Sequence, residues 1–147
     1  MTDPAPILLV EDNPADVELA LRAFRRRKLA NPITVVRDGE EALDYMYRRG
    51  AFADGAPVPG VVLLDLRIPK VDGLEVLREL KQHPVYRHVP VVVLTTSGEH
   101  RDVKRSYEMG AASYIVKPVE FDKFQDVVER INLYWIVTNV PYPAEAD

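Results

Sequence analysis

The chain has 147 residues, a net charge of -4 and no cysteine. That length suits one domain able to bury about 68–70% of its unfolded surface, and the missing thiol removes disulfides, cysteine nucleophiles and thiolate metal sites. The acidic balance argues against a general nucleic-acid binder, and the apolar runs are far shorter than the ~20 residues of a membrane helix. No charged-then-apolar leader precedes the first apolar run, so a cytoplasmic protein with neither nucleic-acid nor membrane partners is expected.

Ile7-Leu8-Leu9-Val10 reads as a first strand and ends in Glu11-Asp12. Asn13 is a good N-cap and Pro14 a good first helical residue. Val17, Ala20, Leu21 and Phe24 then recur with helical spacing and form a buried face, leaving Ala15 and Leu19 off it, beside the acids. Arg25-Arg26-Arg27-Lys28 suits the negative end of the helix dipole. A second strand, Ile33-Thr34-Val35-Val36, leads to Asp38 and Glu41, spaced as a capping box. The helix they open is expected to reach Arg49, with Gly50 ending it, followed by a surface loop over 51–59. Val61-Val62-Leu63-Leu64 is the third strand and ends in Asp65. A third helix is expected over about Gly73–Gln82, stopped by His83-Pro84. Val91-Val92-Val93-Leu94 ends in Thr95-Thr96. The next helix, about Glu99–Met109, has only Val103, Tyr107 and Met109 to bury, so it can shift cheaply. Tyr114-Ile115-Val116 ends in Lys117-Pro118, and a fifth helix from about Phe121 carries Phe124, Val127, Val128, Ile131 and Trp135.

Strand starts fall roughly 22 to 30 residues apart with a helical pattern in each gap, the βαβ signal of a parallel sheet. Continuous rather than alternating apolar strands fit a sheet covered on both faces. All the reactive groups then stand at strand ends, along the edge where open α/β sheets bind ligands. Glu11, Asp12 and Asp65 would converge as three hard carboxylates. Such a cluster takes up protons or binds a cation, and Mg²⁺, which keeps waters and engages phosphates, suits it best. A carboxylate can also be a nucleophile that forms an aspartyl-phosphate. Asp65 is placed for that role, with Lys117 and Thr95 able to contact phosphoryl oxygens.

Glu11-Asp12, the loop Asp65-Leu66-Arg67-Ile68-Pro69-Lys70-Val71-Asp72-Gly73, Thr95 and Lys117-Pro118 stand in the order and spacing of a two-component response-regulator receiver domain, and over about residues 6–134 the chain resembles that family. The resemblance implies a flavodoxin-like α/β fold, doubly wound, with a five-stranded parallel sheet in the order 2-1-3-4-5 and five helices. It also implies that Asp65 is the phosphoacceptor for a histidine kinase. Asp12, Asp65 and the Arg67 backbone carbonyl would bind Mg²⁺, with Glu11 acting mostly through water. Thr95, the Thr96 backbone N–H and Lys117 would hold the phosphoryl group, and Thr95 and Tyr114 would form the conformational switch. Arg67 and Ser97, each two residues beyond a site residue, would set how fast water removes the phosphate.

No effector domain is expected after the receiver, so output would pass through another molecule or through self-association. Between Arg130 and Glu145 there is no charged residue, and one helix face cannot bury Leu133, Tyr134, Trp135, Ile136, Val137 and Val140 together. A homodimer is therefore expected through the fourth helix, fifth strand, fifth helix and the 135–147 tail, with Phe124, Val128, Ile131, Trp135 and Ile136 in its interface. The long 51–59 loop and the tail resemble the small stand-alone regulators paired with bacterial and cyanobacterial phytochromes. That resemblance implies a red-light-sensing kinase docked on Ala15, Leu19 and Arg22. Two rivals stand beside this reading. A Mg²⁺-dependent aspartyl-phosphate phosphatase commonly has a second Asp where this chain has Arg67. A degenerate receiver that only binds proteins would not need Glu11, Asp12, Asp65, Thr95 and Lys117 intact.

Overall fold

A computed structural model describes residues 6–26, 31–96 and 100–116. Five short strands, β1 (Ile7–Val10), β2 (Ile33–Val36), β3 (Val61–Leu64), β4 (Val91–Thr95) and β5 (Ser113–Val116), alternate with α1 (Pro14–Arg26), α2 (Gly39–Tyr47), α3 (Gly73–Gln82) and α4 (His100–Glu108). The sheet order is β2-β1-β3-β4-β5 and every pair is parallel. Among the described residues no helix is long and apolar enough to cross a membrane. The expected fifth helix and tail, with Phe124, Val128, Ile131, Trp135 and Ile136, lie outside the described residues.

The continuous apolar strands follow from a core split in two by the sheet. Leu8, Val10, Val62, Leu64, Val91 and Val93 point to the face covered by α2 and α3, packing with Ala42, Met46, Val76, Leu77 and Leu80. Ile7, Leu9, Val61, Leu63, Val92 and Leu94 point the other way, onto Val17, Ala20, Ala23 and Phe24 of α1. Successive strand residues face opposite ways. In β1, β3 and residues 91–94 of β4 both faces are covered and every position is apolar, and each buried Leu, Ile or Val contributes roughly 1.5–3 kcal/mol.

The helix starts obey local chemistry. Asn13 Oδ1 accepts from the N–H groups of Ala15 (2.9 Å) and Asp16 (3.3 Å) and caps α1. Asp38 Oδ1 accepts from Glu41 N–H (2.8 Å), and the Glu41 carboxylate accepts from Arg37 N–H (3.0 Å). The capping box thus closes one residue further back than its usual form. Helix α3 runs from Gly73 to Gln82 as the spacing predicts.

Three expectations need correction. Helix α2 stops at Tyr47, not Arg49, because Arg48 itself turns left-handed (φ 55°) and takes the capping position assigned to Gly50. The 51–59 segment is more than surface loop. After a 3-10 turn at Gly50–Phe52, Ala56, Val58 and Pro59 are buried, the Tyr45 hydroxyl donates to Pro57 O (2.7 Å), and the Tyr45 and Phe52 rings meet edge-on at 5.0 Å. In α4 Ser106 is fully buried, while Tyr107 is 48% exposed. Burial of Ser106 is tolerated because its Oγ donates to Asp102 O (2.9 Å) one turn back.

Candidate functional site

The register aligns the strand ends. Val10 lies beside both Val36 and Leu64, so Glu11 and Asp65 emerge together one residue beyond β1 and β3. Glu11 N–H donates to Val36 O (2.9 Å) and Asp65 N–H to Val10 O (3.0 Å), extending the sheet ladder through the backbones of both acids. Their side chains and that of Asp12 converge, with one carboxylate oxygen from each lying within 4.8 Å of the others. Glu11 and Asp65 are buried and Asp12 is exposed. Two full charges at that spacing repel by about 3–4 kcal/mol at an effective dielectric of 20. The donor set fits a hard divalent cation. It is all carboxylate oxygen, backed by two fixed buried groups and open to water on the Asp12 side, as an ion that retains waters and engages a substrate oxygen requires.

Short-range bonds orient these acids. The Glu11 carboxylate accepts from Asn13 N–H (3.2 Å), so the acidic turn and the α1 cap form one unit. Asp65 Oδ1 accepts from Arg67 N–H (3.0 Å), which fixes the rotamer of the central carboxylate. The 65–73 loop is held at both ends. Gly73 N–H donates to Leu66 O (3.1 Å) and Gly39 N–H to Pro69 O (3.0 Å). Lys70, itself left-handed at φ 70°, lies 3.6 Å from the Asp38 carboxylate and 3.8 Å from that of Glu40.

Gly73 is required by space. A Cβ there would sit 2.4 Å from Leu66 Cα and 2.7 Å from both Asp65 O and Leu66 O. Sequence reading placed Gly73 at the end of the 65–73 loop and the start of a helix but gave it no packing role. It also missed a longer link. The Arg67 guanidinium stands 3.8 Å from the Asp102 carboxylate in the first turn of α4.

The remaining expected residues divide. Thr95 closes β4, paired with Val116 of β5, and Thr96 follows it exposed at the same edge. Tyr114 pairs with Val93 in the middle of β5 and is half-buried against the α2/α3-side core. Ala15, Leu19 and Arg22 follow one another along one side of α1, Ala15 and Arg22 exposed and Leu19 half-buried. Lys117 and Ser97 lie outside the described residues.

Comparison with known proteins agrees with this arrangement. The family model for the response regulator receiver domain matches residues 7–129. The probable methanogenesis regulatory protein FilR2 of Methanothrix harundinacea (strain 6Ac) is 47% identical over 143 residues, 97% of this chain and 91% of that protein. The solved structure of the bacteriophytochrome response regulator RtBRR is 50% identical with a TM-score of 0.78, covering 95% of this chain and 84% of that one. The Mn²⁺-bound form of response regulator Rcp1, a Synechocystis protein, is 38% identical with a TM-score of 0.83, covering 96% of this chain and all of that one. Shared sequence over nearly the whole chain, the 2-1-3-4-5 sheet and three acids gathered at its edge lead to one assignment: the chain belongs to the response regulator receiver family.

Proposed function

We propose that the chain is a phosphoacceptor, a receiver spanning 6–134 with an apolar 135–147 tail, that takes a phosphoryl group on Asp65 from a sensor histidine kinase in the cytoplasm. An Asp65 carboxylate oxygen bonds to phosphorus while the P–N bond to the donor imidazole breaks, and the departing nitrogen keeps the electron pair and takes a proton. Asp12, Asp65 and the Arg67 carbonyl would hold Mg²⁺ directly and Glu11 through water. The ion's chemistry there is to offset the negative charge of carboxylate and phosphoryl oxygens. The chain's own groups do the rest. Asp65 is fixed by Arg67 N–H for attack, and Thr95, the Thr96 N–H and Lys117 receive the phosphoryl oxygens. Movement of Thr95 toward those oxygens draws Tyr114 inward and carries the signal to β5 and α4.

The observation that carries this reading is the convergence of Glu11, Asp12 and Asp65, two buried and one open, at the ends of two adjacent strands. The resemblance to RtBRR supports a phytochrome kinase as partner, docked on Ala15, Leu19 and Arg22 at the acidic edge. The apolar tail supports a homodimer that uses Phe124, Val128, Ile131, Trp135 and Ile136. Phosphatase turnover on outside substrates is disfavoured, because Arg67 stands where such hydrolases commonly place a second Asp. The test is incubation with acetyl phosphate and Mg²⁺ followed by intact mass. One added phosphoryl group is expected in the wild type and none in Asp65→Asn. Equal labelling of Asp65→Asn, or rapid turnover of unrelated phosphomonoesters, would overturn the proposal.

A further inference from the structure

Arg67 is bound to the acceptor at one end and to α4 at the other. Its backbone N–H holds Asp65 Oδ1 at 3.0 Å, while its guanidinium lies 3.8 Å from Asp102 Oδ2. The Arg67 side chain is 65% exposed and free to swing, whereas Asp102 is 16% exposed and fixed in the first helical turn. Among the described residues, helix α4 buries few side chains. Ser106 is fully buried, Val103 and Met109 are half-buried, and Tyr107 faces solvent. The ion pair of Lys104 with Glu108 lies within the helix.

We infer that Arg67 is a charge-exchange tether: it grips Asp102 and restrains α4 in the unmodified protein, then transfers to the phosphoryl group on Asp65 and releases α4. This rests on the phosphoacceptor reading of Asp65 and adds to it a second route from acceptor to α4, separate from Thr95 and Tyr114. The exchange is driven by charge and geometry. A phosphoryl group carries about two negative charges and three acceptor oxygens against the single charge of a carboxylate, and a guanidinium fork binds such oxygens in pairs. Asp102 loses little when Arg67 leaves, because a carboxylate in the first helical turn is favoured by the helix dipole. The restraint is modest, since exposed ion pairs shift equilibria by roughly 1.5- to fivefold. A helix buried this lightly is one that such a bias can move.

Hydrogen exchange of the α4 amides tests the inference. Arg67→Gln leaves the α4 dipole partner in place, whereas Asp102→Asn removes both tether and dipole partner. Without phosphodonor, Arg67→Gln should raise α4 exchange by roughly 1.5- to fivefold, and the Arg67→Gln/Asp102→Asn double variant should exceed Asp102→Asn by clearly less than that factor. Asp102→Glu should restore part of the wild-type protection. With acetyl phosphate and Mg²⁺, wild-type protein verified by intact mass to carry a phosphoryl group should exchange in α4 as fast as unmodified Arg67→Gln or faster. The proportional rise on phosphorylation should be smaller in Arg67→Gln. Unchanged α4 exchange in unmodified Arg67→Gln would overturn the tether, as would fully additive effects in the double variant. Verified phosphorylation with no change in α4 would overturn the exchange. Absence of added mass would instead remove the phosphoacceptor reading itself.

Discussion

Gly73→Ala should damage stability and the acidic site together. The new Cβ would stand 2.4 Å from Leu66 Cα, and relief to the 3.0 Å limit requires a shift of about 0.6 Å. All three nearest atoms are backbone, so no side chain can swing aside. Overpacking of this kind costs about 1–3 kcal/mol, which lowers Tm by roughly 3–10 °C in a domain of this size. Because Asp65 O is among the crowded atoms, the central carboxylate moves with the loop. A site needs its groups held within about 0.5 Å, so Mg²⁺ affinity should fall about tenfold or more. Gly39→Ala is the matched control. Its Cβ would meet Val71 O at 2.1 Å, crowding the far end of the same loop, so it should destabilise comparably while keeping most Mg²⁺ affinity. Thermal melts and calorimetric Mg²⁺ titrations of both variants decide. Wild-type Tm and affinity in Gly73→Ala, or equal loss of affinity in Gly39→Ala, would refute the packing argument.

Other outcomes follow from the same contacts. His83 Nδ1 accepts from the N–H groups of Val85 and Tyr86, both at 3.1 Å, and burial holds its pKa below the ordinary 6.5. The folded state therefore binds this proton less well than the unfolded one. Stability contributed by His83 is full above pH 6.5 and is lost as pH falls through the folded value; urea midpoints of His83→Asn should show a shallower decline between neutral and acidic pH than wild type. Asp38→Ala removes a 2.8 Å cap bond and should cost about 0.5–2 kcal/mol. Asp72→Ala, whose bond to Leu74 N–H is 3.4 Å, should cost less, and the reverse order in urea melts would contradict the cap geometry. Leu77→Ala, at a fully buried position under the sheet, should lose about 2–5 kcal/mol, and a loss under 1 kcal/mol would show that the α3 face is not packed as described.

Much of the fold is legible because local and long-range demands coincide. The apolar runs of β1, β3 and β4 are continuous since those strands feed both cores, and Asn13-Pro14 marks the start of α1 by the same bonds seen in the structure. The acids are legible because parallel strands leave their C-terminal residues along one edge. What stayed hidden depends on partners distant in sequence or on disfavoured backbone. Arg48 adopts a left-handed cap that composition assigns to Gly50. The 51–59 segment has the glycine and prolines of a loop, yet Tyr45 draws it inward through Pro57 and Phe52. Ser106 is polar and so looks exposed, but its hydroxyl is satisfied within its own helix. The Arg67–Asp102 pair spans two elements and leaves no periodic trace.

The most direct test of the central claim is to trap the acyl phosphate where it forms. Protein treated with acetyl phosphate and Mg²⁺ is reduced with borohydride, which converts a phosphorylated aspartate to homoserine, and its peptides are sequenced by mass. The account predicts homoserine at position 65 alone, with none when Mg²⁺ is chelated. Homoserine at position 12 or elsewhere in place of 65, or equal modification of residue 65 with the metal removed, would contradict it.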